Sequence, residues 1–163
     1  MKNIRRKEKA IESIDEIKNI INTAQYITLA MCKNDNPYLV TLNHGYDQEN
    51  DIIYFHCASK GKKIDILSTN NIIWGQALLD MGYVQGACDH LYKTAQFKGK
   101  VSFIKNSKEK RHALTNIIYK LDKNPQVVIE KQLTEKSIKR VTIGRIKIDY
   151  MSGKESKNVL ISL

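Results

Sequence analysis

Three strand-like runs follow one another with only short polar segments between them. They are YITLAMC (Tyr26–Cys32), PYLVTLNHGY (Pro37–Tyr46) and IIYFHCA (Ile52–Ala58). The joining segments, KNDN (Lys33–Asn36) and DQEND (Asp47–Asp51), have turn composition. A parallel pair needs a crossover of about a dozen residues or more, so these runs must form an antiparallel meander. NIIWGQALLD (Asn71–Asp80), TAQFKGKVSFI (Thr94–Ile104) and KRVTIGRIKIDYMSGK (Lys139–Lys154) read as three further strands. The pattern predicts a mainly β chain: six antiparallel strands in a small closed barrel with a few peripheral α-helices. Gly99 is a candidate bulge. In the last strand the alternation of Val141, Ile143, Ile146 and Ile148 slips near Gly144, as a bulge there would cause.

The helical additions have local signals. Ser13-Ile14-Asp15-Glu16 fits a capping box, and Ile14, Ile17, Ile20, Ile21 and Ala24 then share one helical face. Ser107 is the expected cap of a second helix, with Ala113, Leu114, Ile117, Ile118 and Leu121 on its apolar side. The segment from Pro125 reads as variable, with helical character. MGYVQGACDHLY (Met81–Tyr92) reads as a long Gly-containing loop that could cover a site.

Composition narrows the class. The chain has 163 residues with 42% apolar and 27% charged, enough for a real hydrophobic core and typical of a soluble globular protein. No apolar run approaches the roughly 20 residues of a membrane span, and the basic N-terminus lacks a signal-peptide core. The expected location is the cytoplasm. Three cysteines without CxxC spacing argue against a disulfide framework or a zinc ribbon, and Cys32 and Cys57 read as buried thiols. The net charge of +10 is spread over several segments, which reads as a solvated basic surface.

Four constellations bear on chemistry. In ASKGKKIDIL, Ser59 could cap a short helix while Lys60, Lys62 and Lys63 crowd its start. Lysines oppose the dipole there, unless an anion is bound. A phosphate site and a solvated surface helix both fit this pattern. The four histidines have no ligand spacing, so no metal is expected, and His56 reads as a core histidine. Cys88 with His90 lacks a third catalytic partner. No helix-turn-helix, zinc-finger or RNP-type motif points to nucleic acid.

PYxVxLNxGY followed by YFHxAxxGKKxDxL, in that order, resembles the FMN-binding split barrels of the pyridoxamine-phosphate-oxidase-like superfamily. The similarity is to the small nitroimidazole-resistance (Nim-type) branch. It starts at Arg5-Arg6-Lys7 and continues through YKTAQFKGKV to DYMSGKE. It implies one split-barrel domain over residues 1–155, with residues 156–163 as a C-terminal tail. It further implies a homodimer with two FMN sites at the interface. Val40, Thr41, Leu42 and Asn43 would lie against the flavin ring, and His56 and Cys57 would line it. Ser59, Lys62 and Lys63 would hold the phosphate. Lys93 and Thr94 would come from the partner subunit. The chain departs from the family pattern at Thr41 (often Pro), His44 (often aromatic), Lys93 (often Arg), Thr94 (often Ser) and Lys62 (His in some members).

The expected function is an FMN-dependent reductase that passes electrons from a nicotinamide or protein donor to a small acceptor such as a nitroaromatic. His56 is the one side chain nominated near the ring. The rival readings are a non-catalytic FMN binder or redox sensor, and a haem-binding split barrel.

Overall fold

The computed structural model describes residues 4–156. Of the expected tail at 156–163, residues 157–163 lie outside the described residues. After a 3-10 turn (Lys7–Lys9) come β1 (Ala10–Ile11), α1 (Ile14–Thr23), β2 (Ile27–Lys33), β3 (Asn36–Leu42), β4 (Gly45–Asp47) and β5 (Ile52–Cys57). Then follow α2 (Lys62–Leu67), β6 (Ile72–Val84), β7 (Asp89–Phe103), α3 (Ser107–Leu121), α4 (Pro125–Gln132), α5 (Glu135–Arg140) and β8 (Thr142–Glu155).

The strands pair antiparallel along the path β3-β2-β6-β7-β8-β5-β4, with β1 added beside β8. So the sheet has eight strands among the described residues rather than six, and it is not closed. The two ends of the path, β3 and β4, are joined in sequence by Asn43 and His44 alone. That link bends the sheet round on itself and leaves a seam without ladder hydrogen bonds. Ile27, Leu29, Ile53, Phe55, Phe97 and Ile146 fill the interior. A second cluster of Tyr54, Ile104, Ala113, Ile117 and Ile143 packs α3 onto the outer side of β5 and β8.

The local signals explain most elements. Asn34 and Asp35 adopt φ of 49° and 60°, the left-handed pair that matches a two-residue hairpin to strand twist. Ser13 Oγ accepts the Glu16 N–H at 3.3 Å, one half of a capping box. The other half is missing, because the Glu16 carboxylate accepts from Lys93 Nζ instead, at 2.5 Å.

Several expectations need correction. PYLVTLNHGY is two strands: Asn36–Leu42 pairs with β2, and Gly45–Asp47 pairs with β5. Met81–Tyr92 is not a loop but the outer end of the β6–β7 hairpin, paired out to Val84 and Asp89. Met81 is the extra residue of a bulge there, and it masks the period-two pattern. Gly99 does sit at a register shift, but the extra residue is Asp149 on β8. Pairing runs unbroken through Gly144. Its apolar pattern slips because Ile143 packs under α3 on one face and Ile146 fills the barrel on the other. Gly144 is required by space: a Cβ there would lie 2.1 Å from the Phe55 ring. Asn106, not Ser107, caps α3, accepting the N–H groups of Lys108 and Glu109. Cys32 and Cys57 are half-buried rather than buried.

Candidate functional site

The seam gathers most of the predicted residues. β3 is an end strand, so one of its backbone edges has no ladder partner. β4 covers β5 only over Ile52–Tyr54, which leaves the same edge of Phe55–Cys57 open. Val40 and Leu42 turn inward and pack against the core, whereas Thr41 faces outward and its Oγ1 lies 3.1 Å from Thr28 Oγ1. A ligand along β3 would therefore meet backbone groups and the exposed Thr41 and Asn43 rather than Val40 or Leu42 side chains.

α2 follows β5 and brings two cations to this seam. Lys62 Nζ sits over the Tyr38 ring at 4.7 Å, and Lys63 Nζ over the Phe55 ring at 5.2 Å. Tyr38 belongs to β3 and Phe55 to β5, so the two ammonium groups span the gap. Among the described residues neither has a carboxylate within 4.0 Å. Gly61, with φ of 125°, takes the N-cap position that was expected of Ser59, and no side chain caps α2. Ser59 and Lys60 are exposed in the turn before it. Asp65 in the first turn of α2 offsets part of the dipole conflict.

His56 and Cys57 point to opposite sides of β5. Cys57 packs against the barrel core, where burial pushes its thiol pKa up while the nearby Lys63 charge pulls it down. His56 is exposed, contrary to the core position expected for it. The fully buried histidine is His44, with no exposed surface.

Lys93 and Thr94, expected at the partner's site, are engaged within their own subunit. Lys93 Nζ binds Glu16 at 2.5 Å and Glu155 at 3.4 Å, and the Glu16 hydrogen bond holds its pKa up. The buried Thr94 hydroxyl donates to the Ala77 carbonyl at 3.0 Å. Cys88 lies exposed at the hairpin tip with φ of 50°. His90 pairs instead with Asp80, at 2.7 Å.

Next to the seam lies an apolar outer face. Ile72, Trp74 and Leu78 alternate outward along β6, and Trp74 remains 41% exposed. Leu39, Ala30 and Trp74 form one cross-strand row, and Thr41, Thr28, Gln76 and Gln96 form the next. An open groove of about 450 Å³ runs between these rows. Leu39, at 65% exposure, stands at its border with the seam.

One feature escaped the sequence reading. His44 Nε2 lies 2.8 Å from the Ile21 carbonyl and 2.6 Å from Lys120 Nζ, and Lys120 Nζ lies 3.1 Å from the same carbonyl. Burial lowers the His44 pKa to about 4, aided by the Lys120 charge, and burial lowers Lys120 to about 7. The available signal was Gly45: a Cβ there would lie 2.8 Å from the Ile117 backbone nitrogen of α3, so the glycine marks the place where the helix presses on this strand.

An open antiparallel barrel of this topology defines a class of protein, the split barrels. Residues 13–155 match the family model described as pyridoxamine 5'-phosphate oxidase. The chain belongs to this family of flavin-binding proteins. A proposed 5-nitroimidazole antibiotic resistance protein from Bacteroides thetaiotaomicron is 30% identical, with a TM-score of 0.77 over 90% of this chain and 86% of that one. Two more distant structures share the fold. The flavocytochrome Anf3 of Azotobacter vinelandii is 17% identical, with a TM-score of 0.77 over 96% of this chain and 73% of that one. An FAD-binding protein of Mesorhizobium loti is 19% identical, with a TM-score of 0.65 over 91% of this chain and 98% of that one. No match is found among curated proteins. No helix of the described residues is long and apolar enough to cross a membrane.

Proposed function

We propose that this protein is an FMN-dependent reductase that works as a homodimer. The observation that carries the reading is the pair Lys62 and Lys63, set across the β3–β5 seam without carboxylate partners among the described residues. A cofactor phosphate would supply the missing negative charge, and the Gly61 turn lets its backbone approach closely. Ser59, exposed in the same turn, adds a hydroxyl donor. The free edge of β3 at Val40–Asn43 suits hydrogen bonding to the polar edge of a planar ring. His56 and Cys57 at the end of β5 would border that ring from opposite faces of the strand, with only the His56 side chain exposed. The bound flavin would accept electrons from a nicotinamide or protein donor and pass them to a small acceptor such as a nitroaromatic.

The apolar rows on β3 and β6 support the dimer. An exposed stripe of Leu39, Ile72, Trp74 and Leu78 is costly on a monomer and suits a second copy. Lys93 and Thr94 of that copy would serve the facing FMN. Lys93 would then share its charge with Glu16, and Thr94, whose strand is paired on both edges and whose hydroxyl donates to Ala77, would offer its hydroxyl oxygen as an acceptor.

The test is a visible spectrum of the purified protein with and without added flavin, followed by turnover with reduced nicotinamide and a nitroaromatic. The expected result is a flavin spectrum, released cofactor with the mass of FMN, and steady reoxidation by the acceptor. A flavin that no small acceptor reoxidises would reduce the protein to a binder. A Soret band without flavin absorption would make it a haem protein.

A further inference from the structure

We propose that the hollow beside Lys120 is a binding site for a small carboxylate, with the Lys120 ammonium as its ion partner. The hollow has a volume of about 560 Å³ and is lined by Asn22, Thr23, Gln25, Asn116, Tyr119 and Lys120, among others. It lies between the end of α1 and the last turn of α3, behind the β3–β4 link. It is independent of the flavin reading.

Lys120 has a donor left over. A charged lysine carries three N–H groups. The Ile21 carbonyl and His44 Nε2 account for two of them, at 3.1 and 2.6 Å. Among the described residues no carboxylate lies within 4.0 Å of Lys120 Nζ. Half-buried ammonium groups ordinarily find one, because desolvation penalises the lone charge. Asp51, reached through the Tyr46 hydroxyl at 3.0 Å, is already paired with Lys18 at 2.7 Å.

A plain helix-capping role accounts for only part of this. Ile21 lies in the last turn of α1, so its carbonyl attracts the ammonium. That contact leaves the third N–H unused, in a hollow that the exposed amides of Asn22 and Gln25 also line, while the Asn116 amide lies 3.2 Å from His112 Nε2. One cation with neutral amide and hydroxyl neighbours matches a monoanion that also carries polar groups. A phosphate dianion would call for more positive charge.

The three close atoms also provide a reporter. A proton on His44 Nε2 and a donating proton from Lys120 cannot both occupy the 2.6 Å gap. With Lys120 charged, His44 must carry its proton on Nδ1. With Lys120 neutral, Nε2–H donates to the Ile21 carbonyl. A bound carboxylate stabilises the ammonium and so fixes the Nδ1–H tautomer.

The experiment is a 15N NMR titration of the full chain with sodium acetate, matched in ionic strength by sodium chloride. Acetate should give saturable shifts of the Gln25 and Asn116 side-chain amides and move the His44 ring nitrogens toward the Nδ1–H pattern. Saturating acetate should also raise the titration midpoint of Lys120. In Lys120→Met the acetate response should weaken at least tenfold. The proposal is overturned by a response that does not saturate, by equal effects of chloride, or by an undiminished response in the variant. If that variant does not fold, the wild-type Lys120 midpoint decides: a midpoint unmoved by acetate overturns the proposal. Flavin absorbance, recorded in parallel, keeps failure here distinct from failure of the cofactor reading.

Discussion

His44 shows how one position can couple burial to pH. Its ring is fully enclosed and meets only a carbonyl and an amine, so the imidazolium form is excluded until the pH falls to about 4. The unfolded ring takes a proton near its ordinary value of 6.5. The unfolded state therefore binds more protons between these values, and stability must fall as the pH drops from 6.5 toward 4. The loss amounts to at most about 3 kcal/mol for a shift of this size. Chemical denaturation in steps between pH 7 and 4 should show it, and His44→Phe should flatten that part of the profile. A profile equally steep in the variant would assign the acid loss to other groups. Lys120 acts at higher pH with the same sign. Its folded pKa of about 7 lies below the ordinary 10.5, so its contribution raises stability as the pH climbs between them. Neither residue was legible in the sequence, because both depend on α3 returning to the β3–β4 link from 76 positions away.

Elements were legible where the signal was local. Ser13 before an apolar-periodic run, and the KNDN turn, which the structure narrows to Asn34-Asp35, each act within a few residues. Signals shared between neighbours read wrongly. Asn106 and Ser107 are both good caps by residue type, and only the geometry shows which one accepts the Lys108 and Glu109 N–H groups. Asn106→Ala should cost about 1 kcal/mol in thermal or denaturant unfolding, with Ser107→Ala within about 0.5 kcal/mol of wild type. Similar losses from both would remove that distinction. The slip near Gly144 was misread because a strand covered on both faces loses its alternation. Gly144→Ala should destabilise by about 1–3 kcal/mol through overpacking against Phe55, whereas a true bulge glycine would tolerate the change in space. The β6–β7 hairpin was hidden by the Met81 bulge and by Gly82 and Gly86, which resemble loop composition.

At the scale of the whole molecule, the antiparallel class followed from short turns, but the open seam did not. No sequence pattern states that β3 and β4, two residues apart, end on opposite ends of the sheet path. The seam explains why residues from β3, β5 and α2 converge, and the apolar outer face explains why a second copy is expected beside it. If the proposed dimer forms through this face, Trp74→Glu should give a monomer in sedimentation and weaken flavin retention with it. A variant that stays dimeric would place the interface elsewhere. Lys62 and Lys63 are proposed to hold a flavin phosphate across this seam. Titration of FMN into wild type and the Lys62→Ala/Lys63→Ala double variant tests it most directly. FMN binding to the double variant should weaken by roughly 2–5 kcal/mol, the range for removing charge partners from a buried anion, with riboflavin binding little changed. Equal FMN affinity in the two proteins would contradict it.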